Sequence, residues 1–78
     1  MEDDIMTELR LRLRELREEN GLSQAETAKK IGVSQQTYSR YESHTTEIPL
    51  EKLVWLARYY RVTTDYLLGV IDKSKRWK

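Results

Sequence analysis

The 78-residue sequence contains no cysteine, one histidine, one proline and three glycines. The absence of cysteine excludes a disulfide scaffold, and a zinc site at His44 would need three carboxylate ligands that no spacing provides. No window approaches the roughly 18 consecutive apolar residues of a membrane span, and the acidic start Met1-Glu2-Asp3-Asp4 is unlike a signal peptide. We therefore expect a cytoplasmic protein with no metal, no cofactor, no membrane contact and no evident small-molecule ligand.

The sequence also lacks the motifs of an enzyme. It has no glycine-rich phosphate loop or nucleotide fingerprint. His44 cannot be joined by spacing to a serine or carboxylate that would make it a general base, so we interpret it as a polar loop residue. We predict that the protein is not an enzyme.

The charges nearly balance, with a net charge of +1, but they are unevenly placed. Residues 1–20 hold seven acids and four bases, whereas residues 72–78 hold four bases and one acid. The sequence predicts one domain over residues 1–71 and a basic tail over 72–78. The tail is either a solvated end or a contact with a polyanion.

Apolar spacing and capping residues predict the first three helices. Leu9, Leu13 and Leu16 form one stripe of a helix that ends near Asn20, with Met6 extending the stripe and Leu11 exposed beside it. Ser23-Gln24-Ala25-Glu26 reads as a capping box that starts a second helix, which Gly32 ends. We expect Ala25, Ala28 and Ile31 to pack inward. Ser34 then caps a third helix that runs to about Glu42.

Two further helices follow. Pro49 suits the first turn of a fourth helix, and Thr63 or Thr64 can cap a fifth, which runs through Leu68 and is closed by Gly69. The predicted inner face of the fourth helix comprises Leu50, Leu53, Leu56, Ala57 and Tyr60. No stretch alternates with period two. The sequence predicts an all-α fold, a compact five-helix bundle.

Three blocks of sequence resemble the phage-repressor and Cro family, also called the XRE family, over residues 9–69. The first is Leu-Arg-Glu-Leu-Arg-Glu-Glu-Asn-Gly-Leu-Ser-Gln-Ala-Glu, and the last is Val62-Thr63-Thr64-Asp65-Tyr66-Leu67-Leu68-Gly69. Between them, Ala28 is small where two helices must approach and Gly32 lies at the turn. The resemblance implies a lambda-repressor-like bundle with a helix-turn-helix at helices two and three. It also implies a bacterial or phage-encoded protein that binds double-stranded DNA.

The third helix has a polar face. Gln35, Gln36, Ser39 and Arg40 fall within an arc of about 140 degrees, while Tyr38 and Tyr41 lie opposite and, with Val33, are expected to be buried. In the major groove, glutamine can pair with adenine and arginine with guanine. Polar residues on a surface helix are usually just solvated, but their place directly after a helix-turn-helix favours base contacts.

Contacts with the DNA backbone are expected around this helix. The amino terminus of helix two attracts anions, and the family resemblance gives Gln24 a role at the backbone or the outer bases. The candidates are Ser23, Gln24, Ser34, Thr37, Thr45 and Thr46, with Lys29 and Lys30 as secondary ones. The loop from Ser43 to Glu47 lacks the bases that relatives carry, which suggests a modest salt dependence.

Arg17 and Glu42 occupy positions that form an ion pair in the resembled family. The alternative is two solvated charges that contribute about 0 to 1 kcal/mol. We expect the pair, as a link that holds the third helix against the first.

Trp55 and Tyr59 lie on the outer side of the fourth helix. They either form an apolar interface, with Ile71, for a homodimer, or pack against the fifth helix or the tail. A two-fold dimer would bind a near-palindromic operator with half-sites roughly 34 Å apart.

We expect a sequence-specific transcription regulator, a repressor, in which residues 34–42 read the major groove. The alternatives are an antitoxin that also binds a toxin, and a protein-interaction module that uses Trp55 and Tyr59.

Overall fold

The computed structural model describes residues 2–43 and 46–69, with side chains from Thr7 onward. The described residues form five helices and no strand. The helices are α1 (Glu2–Glu19), α2 (Gln24–Ile31), α3 (Gln35–Ser43), α4 (Leu50–Tyr60) and α5 (Thr64–Leu67). The predicted all-α five-helix architecture is confirmed. In the described part of the chain, no helix combines the length and apolarity that a bilayer crossing requires.

Some predictions fall outside the described residues. These concern the side chain of Met6, His44, Thr45, Ile71 and the basic tail over residues 72–78. The boundary between the domain and the tail is likewise not described and stays a prediction.

The ends of α2 form as predicted. The Ser23 hydroxyl accepts a hydrogen bond from the Glu26 amide at 3.0 Å, and the Glu26 carboxylate accepts one from the Ser23 amide at 2.8 Å. At the other end, Gly32 adopts a left-handed φ of 77°, which a residue without a Cβ tolerates easily. The chain can therefore turn sharply within three residues, 32–34, before α3 begins.

Helices α3 and α5 also have capping side chains. The Ser34 hydroxyl accepts from the Thr37 amide, and Thr63, rather than Thr64, accepts from the Tyr66 amide, both at 3.0 Å. The end of α4 was not predicted. It closes on Arg61, which takes a left-handed φ of 61° without being glycine.

One apolar core joins the five helices. The predicted stripe of Leu9, Leu13 and Leu16 on α1 is confirmed, and Leu11 is exposed as expected. The buried apolar residues are Leu9, Leu13, Leu16, Ala28, Ile31, Tyr38, Tyr41, Leu53, Leu56, Ala57, Tyr60, Val62, Tyr66 and Leu67. Helix α3 packs on α1 and α2, so one of its faces is fixed and the other is left outside.

Two inward predictions were wrong. Ala25 is exposed, and its expected place in the core is taken by Thr27, which is fully buried and donates its hydroxyl hydrogen to the Ser23 carbonyl at 3.0 Å. Thr27, Ala28 and Ile31 cluster within about 100 degrees of the helix, and Ala25 lies beyond that arc. Leu50 is 73% exposed, because it lies in the first turn of α4, one turn before the first buried residue, Leu53.

Candidate nucleic-acid interface

Helix α3 turns its tyrosines inward and its polar side chains outward. Tyr38 is completely buried and Tyr41 nearly so, and their rings pack edge to face with centroids 6.0 Å apart. Gln35, Gln36 and Arg40 are exposed, and Ser39 on the same side is half-buried. The predicted orientation is present, with an outer face of hydrogen-bonding groups that we call the reading face (residues 35, 36, 39 and 40). Its contact with DNA bases stays a prediction.

A buried carboxylate fixes the end of α3 to the two preceding helices. The Arg17 Nε donates to Glu42 Oε2 at 2.8 Å, and Arg17 Nη2 donates to Glu42 Oε1 at 3.2 Å. Arg17 Nη1 also donates to the carbonyl oxygen of Leu22 at 2.9 Å. The predicted pair between Arg17 and Glu42 is therefore formed, and it is buried rather than solvated, with the Glu42 side chain only 5% exposed.

Gln24 completes this cluster, which sequence analysis did not predict. Its Nε2 donates to Glu42 Oε1 at 3.1 Å. The Gln24 side chain, assigned to DNA contact, is thus held at the start of α2 by the same carboxylate that holds α3. A carboxamide nitrogen has two hydrogens, so one remains for another acceptor. We call Arg17, Gln24 and Glu42 the Glu42 cluster.

The cluster is charged at neutral pH. Burial raises the pKa of Glu42, but the hydrogen bonds from Arg17 and Gln24, together with the nearby Tyr38 hydroxyl, outweigh burial, so its pKa lies below the ordinary value. The hydrogen bond to Glu42 raises the pKa of Arg17. Burial, together with the neighbouring Glu42 carboxylate, raises the pKa of Tyr38. The ion pair therefore persists at neutral pH, with the tyrosine uncharged.

The hydroxyls predicted to contact phosphates lie at the starts of α2 and α3. Ser23 caps α2, and the Ser34 hydroxyl donates to Thr37 Oγ1 at 2.9 Å while capping α3. Thr46 is exposed in the following loop. Capping is therefore shown for both serines, and their phosphate contacts stay predictions.

A polar cleft beside the reading face was missed by sequence analysis. It has a volume of about 390 Å³ and lies between α1, α2 and α3. The lining residues are Arg14, Arg17, Gln24, Ser39, Glu42 and Ser43. The helical spacing of Ser43 could have placed it on the polar side of α3. Nothing local indicates Arg14, because its position depends on how α1 packs on α3.

A second cleft, of about 440 Å³, lies where the end of α2 meets α4. Its walls include Lys29, Lys30, Lys52 and Trp55. Trp55 is 41% exposed and Tyr59 39% exposed. Their rings stack with centroids 5.3 Å apart, and the Lys30 ammonium lies 5.1 Å from the Tyr59 ring centroid. We call Trp55 and Tyr59 the aromatic patch. Its role as a dimer interface stays a prediction.

The described residues contain no group of three or more His, Cys, Asp or Glu side chains suited to hold a metal ion. The short helices α2 and α3 are joined by a three-residue turn. Helix α3 has a polar outer face and is anchored in the core by its buried tyrosines, Tyr38 and Tyr41. This arrangement defines a helix-turn-helix protein.

Comparison with known proteins gives the family. A profile described as helix-turn-helix matches residues 13–67, and the chain belongs to that family, of the XRE type. No solved structure matches significantly.

Three relatives are transcriptional regulators by name. The chain is 46% identical over 61 residues to the uncharacterized HTH-type transcriptional regulator YobD of Bacillus subtilis, covering 78% of this chain and 54% of that protein. It is 37% identical over 65 residues to the HTH-type transcriptional regulator ImmR of the same organism, covering 83% of this chain and 51% of that protein. It is 43% identical over 58 residues to the cryptic phage CTXphi transcriptional repressor RstR of Vibrio cholerae, covering 74% and 52%. The chain thus spans about half the length of these relatives.

Proposed function

We propose that the protein is a sequence-specific, double-stranded DNA-binding transcription regulator, a cytoplasmic repressor rather than an enzyme, that inserts α3 into the major groove. One observation carries this proposal: Gln35, Gln36 and Arg40 are exposed on a helix that buried tyrosines and the Glu42 cluster hold in place. A rigid helix with glutamine and arginine outward suits direct reading of bases. The names of the relatives, which include a phage repressor, agree with this function.

Each group on the reading face has a chemical role in this proposal. Gln35 and Gln36 pair with adenine N6 and N7, Arg40 with guanine O6 and N7, and Ser39 with either base type. Backbone contacts position the helix without reading sequence. The proposed backbone contacts are made by Ser23, Gln24, Ser34, Thr37, Thr45 and Thr46, with Lys29 and Lys30 as secondary contacts.

The test is selection of bound duplexes from a random DNA pool, followed by affinity measurements on single variants. Gln35→Ala, Gln36→Ala and Arg40→Ala should each weaken binding to the selected duplex by about 1 to 3 kcal/mol, or roughly 5- to 150-fold, and relax the base preference at one position. Arg58→Ala is the matched control. Arg58 is also an exposed arginine, but it borders a groove formed with the start of α5. If all three variants keep the wild-type affinity and base preference, the proposed role of the reading face in base contact is refuted.

A homodimer that binds a near-palindromic operator is the second part of the proposal. It is supported by the aromatic patch, since two large stacked rings at about 40% exposure form the kind of surface that interfaces cover. Ile71 is a further candidate for this interface. Sedimentation of the protein bound to a selected duplex should give a stoichiometry of two chains per duplex. Trp55→Ala should shift that stoichiometry toward one chain per duplex. Leu11→Ala, at another exposed apolar side chain, is the control and should leave the stoichiometry unchanged.

The aromatic patch also supports a rival function, a protein-interaction module or an antitoxin that covers a toxin. The near-neutral charge and the absence of lysine and arginine from residues 43–49 favour that rival. Binding to random duplexes at low and moderate salt separates the two, because a DNA reader binds in a salt-dependent manner. Copurification of a small partner protein that is released by Trp55→Ala would favour the antitoxin.

A further inference from the structure

The polar cleft between α1, α2 and α3 continues the reading face. Ser39 and Ser43, one turn apart, line this cleft on its α3 side together with Glu42. At 100 degrees per residue, Ser43 lies about 80 degrees around the helix from Gln35, within the arc of the reading face. The opposite wall is formed by Arg14 of α1 and Gln24 of α2. A DNA duplex lying against the reading face would therefore pass over the mouth of this cleft.

The Arg14 guanidinium lies beside the cleft, in a weak ion pair with Glu18. Its Nε lies 3.3 Å from Glu18 Oε2, one turn further along α1, and the two side chains are 63% and 56% exposed. An exposed pair of this spacing contributes little to stability and is screened by salt. Arg14 can therefore exchange the Glu18 carboxylate for another anion at little cost.

The other charged groups of the cleft do not oppose an anion. The Glu42 carboxylate is 5% exposed and already accepts hydrogen bonds from Arg17 and Gln24. What remains for a ligand are the Arg14 guanidinium, the Ser39 and Ser43 hydroxyls and the second amide hydrogen of Gln24. All of these can donate hydrogen bonds to a phosphate oxygen.

We propose that this cleft binds one phosphodiester of the DNA backbone, and that Arg14 is its main contact, leaving Glu18 for the phosphate when DNA binds. The inference rests on the proposed function and adds a contact from α1. Arg14 would supply a cation that the segment following the reading face lacks, since residues 43–49 contain no lysine or arginine. The contact is with the backbone, so it strengthens binding to every duplex alike.

The test uses the full chain with Arg14→Gln, Glu18→Gln and the double variant. Two single variants serve as charge-matched controls, Arg58→Gln for the arginine and Glu15→Gln for the carboxylate, both at exposed positions. The affinity of each protein for a selected duplex and for a random duplex is measured between 50 and 200 mM salt. Thermal unfolding checks that each variant is folded, which the exposure of Arg14 and Glu18 favours.

Arg14→Gln should lower the slope of log affinity against log salt by about 0.9, the value of one released counterion. Over this fourfold range of salt, wild-type affinity should then fall about 3.5-fold more than that of the variant, on both duplexes. Arg58→Gln should leave the slope unchanged. Glu18→Gln should tighten binding at 50 mM salt by more than Glu15→Gln does, and this gain should vanish when Arg14 is also replaced.

An unchanged slope in Arg14→Gln would overturn the phosphate site but not the proposed role of the reading face. The same holds if the excess gain of Glu18→Gln over Glu15→Gln survives in the double variant. Loss of base preference on Arg14→Gln would also overturn the phosphate site, since a backbone contact carries no sequence information. Absence of salt-dependent duplex binding by the wild-type protein would overturn the proposed function itself, and the phosphate site with it.

Discussion

Replacing Glu42 with glutamine should destabilise the protein by about 2 kcal/mol, the typical contribution of a hydrogen bond to a charged group. The carboxylate accepts from both Arg17 and Gln24. A carboxamide of the same shape has one acceptor oxygen. An amino group at the Oε2 position loses the hydrogen bond from Arg17 Nε, and one at the Oε1 position loses those from Arg17 Nη2 and Gln24 Nε2. At least one hydrogen bond is therefore lost, and the Arg17 charge, on a side chain only 12% exposed, loses its counterion.

The expected loss lies below the roughly 3 to 5 kcal/mol typical of a broken buried ion pair. Arg17 keeps its hydrogen bond to the Leu22 carbonyl and lies 3.9 Å from Glu18 Oε2, so its charge stays partly compensated. Glu42→Ala removes every acceptor and should cost about 3 kcal/mol. Both losses are large for a domain of this size, whose free energy of unfolding is about 4 to 12 kcal/mol.

Urea denaturation at pH 7 measures the effect. With an m value of about 1 kcal/mol per molar, the midpoint of Glu42→Gln should fall by about 2 M. Glu51→Gln, at an exposed site on α4, is the matched control and should stay within about 0.5 kcal/mol of the wild type. The double replacement Arg17→Met with Glu42→Leu should recover much of the loss, because no uncompensated charge is then buried.

The pH dependence has a definite sign. The hydrogen bonds to Arg17 and Gln24 keep the pKa of Glu42 in the folded protein below its ordinary value of 4.5. The unfolded chain therefore binds this proton first, and the carboxylate stabilises the fold above pH 4.5 and ceases to do so as the pH falls through the folded pKa. The difference between wild type and Glu42→Gln should thus be constant from pH 6 to 8 and shrink in acid.

Two results would refute this reasoning. One is a Glu42→Gln variant whose free energy of unfolding lies within about 0.5 kcal/mol of the wild type at pH 7, since surface substitutions have effects of that size. The other is a stability difference that does not change as the pH falls below 4.5, the ordinary value for the carboxyl.

Three further predictions test the fold. Leu56→Ala, at a completely buried side chain, should lower the free energy of unfolding by about 2 to 5 kcal/mol in urea denaturation. Gly69→Ala should lower the melting temperature more than Gly32→Ala: both have a positive φ, but the new Cβ would lie 2.9 Å from the Glu8 Cβ at Gly69 and no closer than 3.8 Å to its surroundings at Gly32. Equal melting temperatures would contradict this. Thr63→Ala should cost about 1 kcal/mol through the lost cap of α5, whereas Thr63→Ser should cost less.

Features set by a few neighbouring residues were predictable from the sequence. The capping box at Ser23 and the left-handed Gly32 depend on interactions within four residues, so the bounds of α2 follow from local chemistry alone. The outward direction of Gln35 and Arg40 follows from helical periodicity once Tyr38 is assigned to the core. These predictions hold because tertiary packing did not have to be known.

Features that depend on how helices pack were predicted less well. Leu50 is apolar and lies next to the inner arc of α4, but periodicity does not show where a neighbouring helix stops covering it. Ala25 lies beyond the buried arc of α2, and that arc could be located only once Thr27 was known to be buried. The pair between Arg17 and Glu42 was expected only from the family resemblance. The bond from Gln24 to Glu42 and the place of Arg14 beside α3 join residues far apart in sequence, and no local pattern indicates either one.

Helices α2 and α3 have eight and nine residues, too few to be stable in isolation. Their helical conformation therefore depends on tertiary contacts, and at the carboxyl end of α3 those contacts converge on Glu42. In the proposed DNA complex, a loosened α3 would have to be ordered again, and that ordering lowers affinity. Substitutions at Glu42 should therefore weaken DNA binding and stability together, whereas substitutions at the exposed Gln35 should weaken binding with stability unchanged. The two classes of variant would thus separate reading of the bases from positioning of the helix.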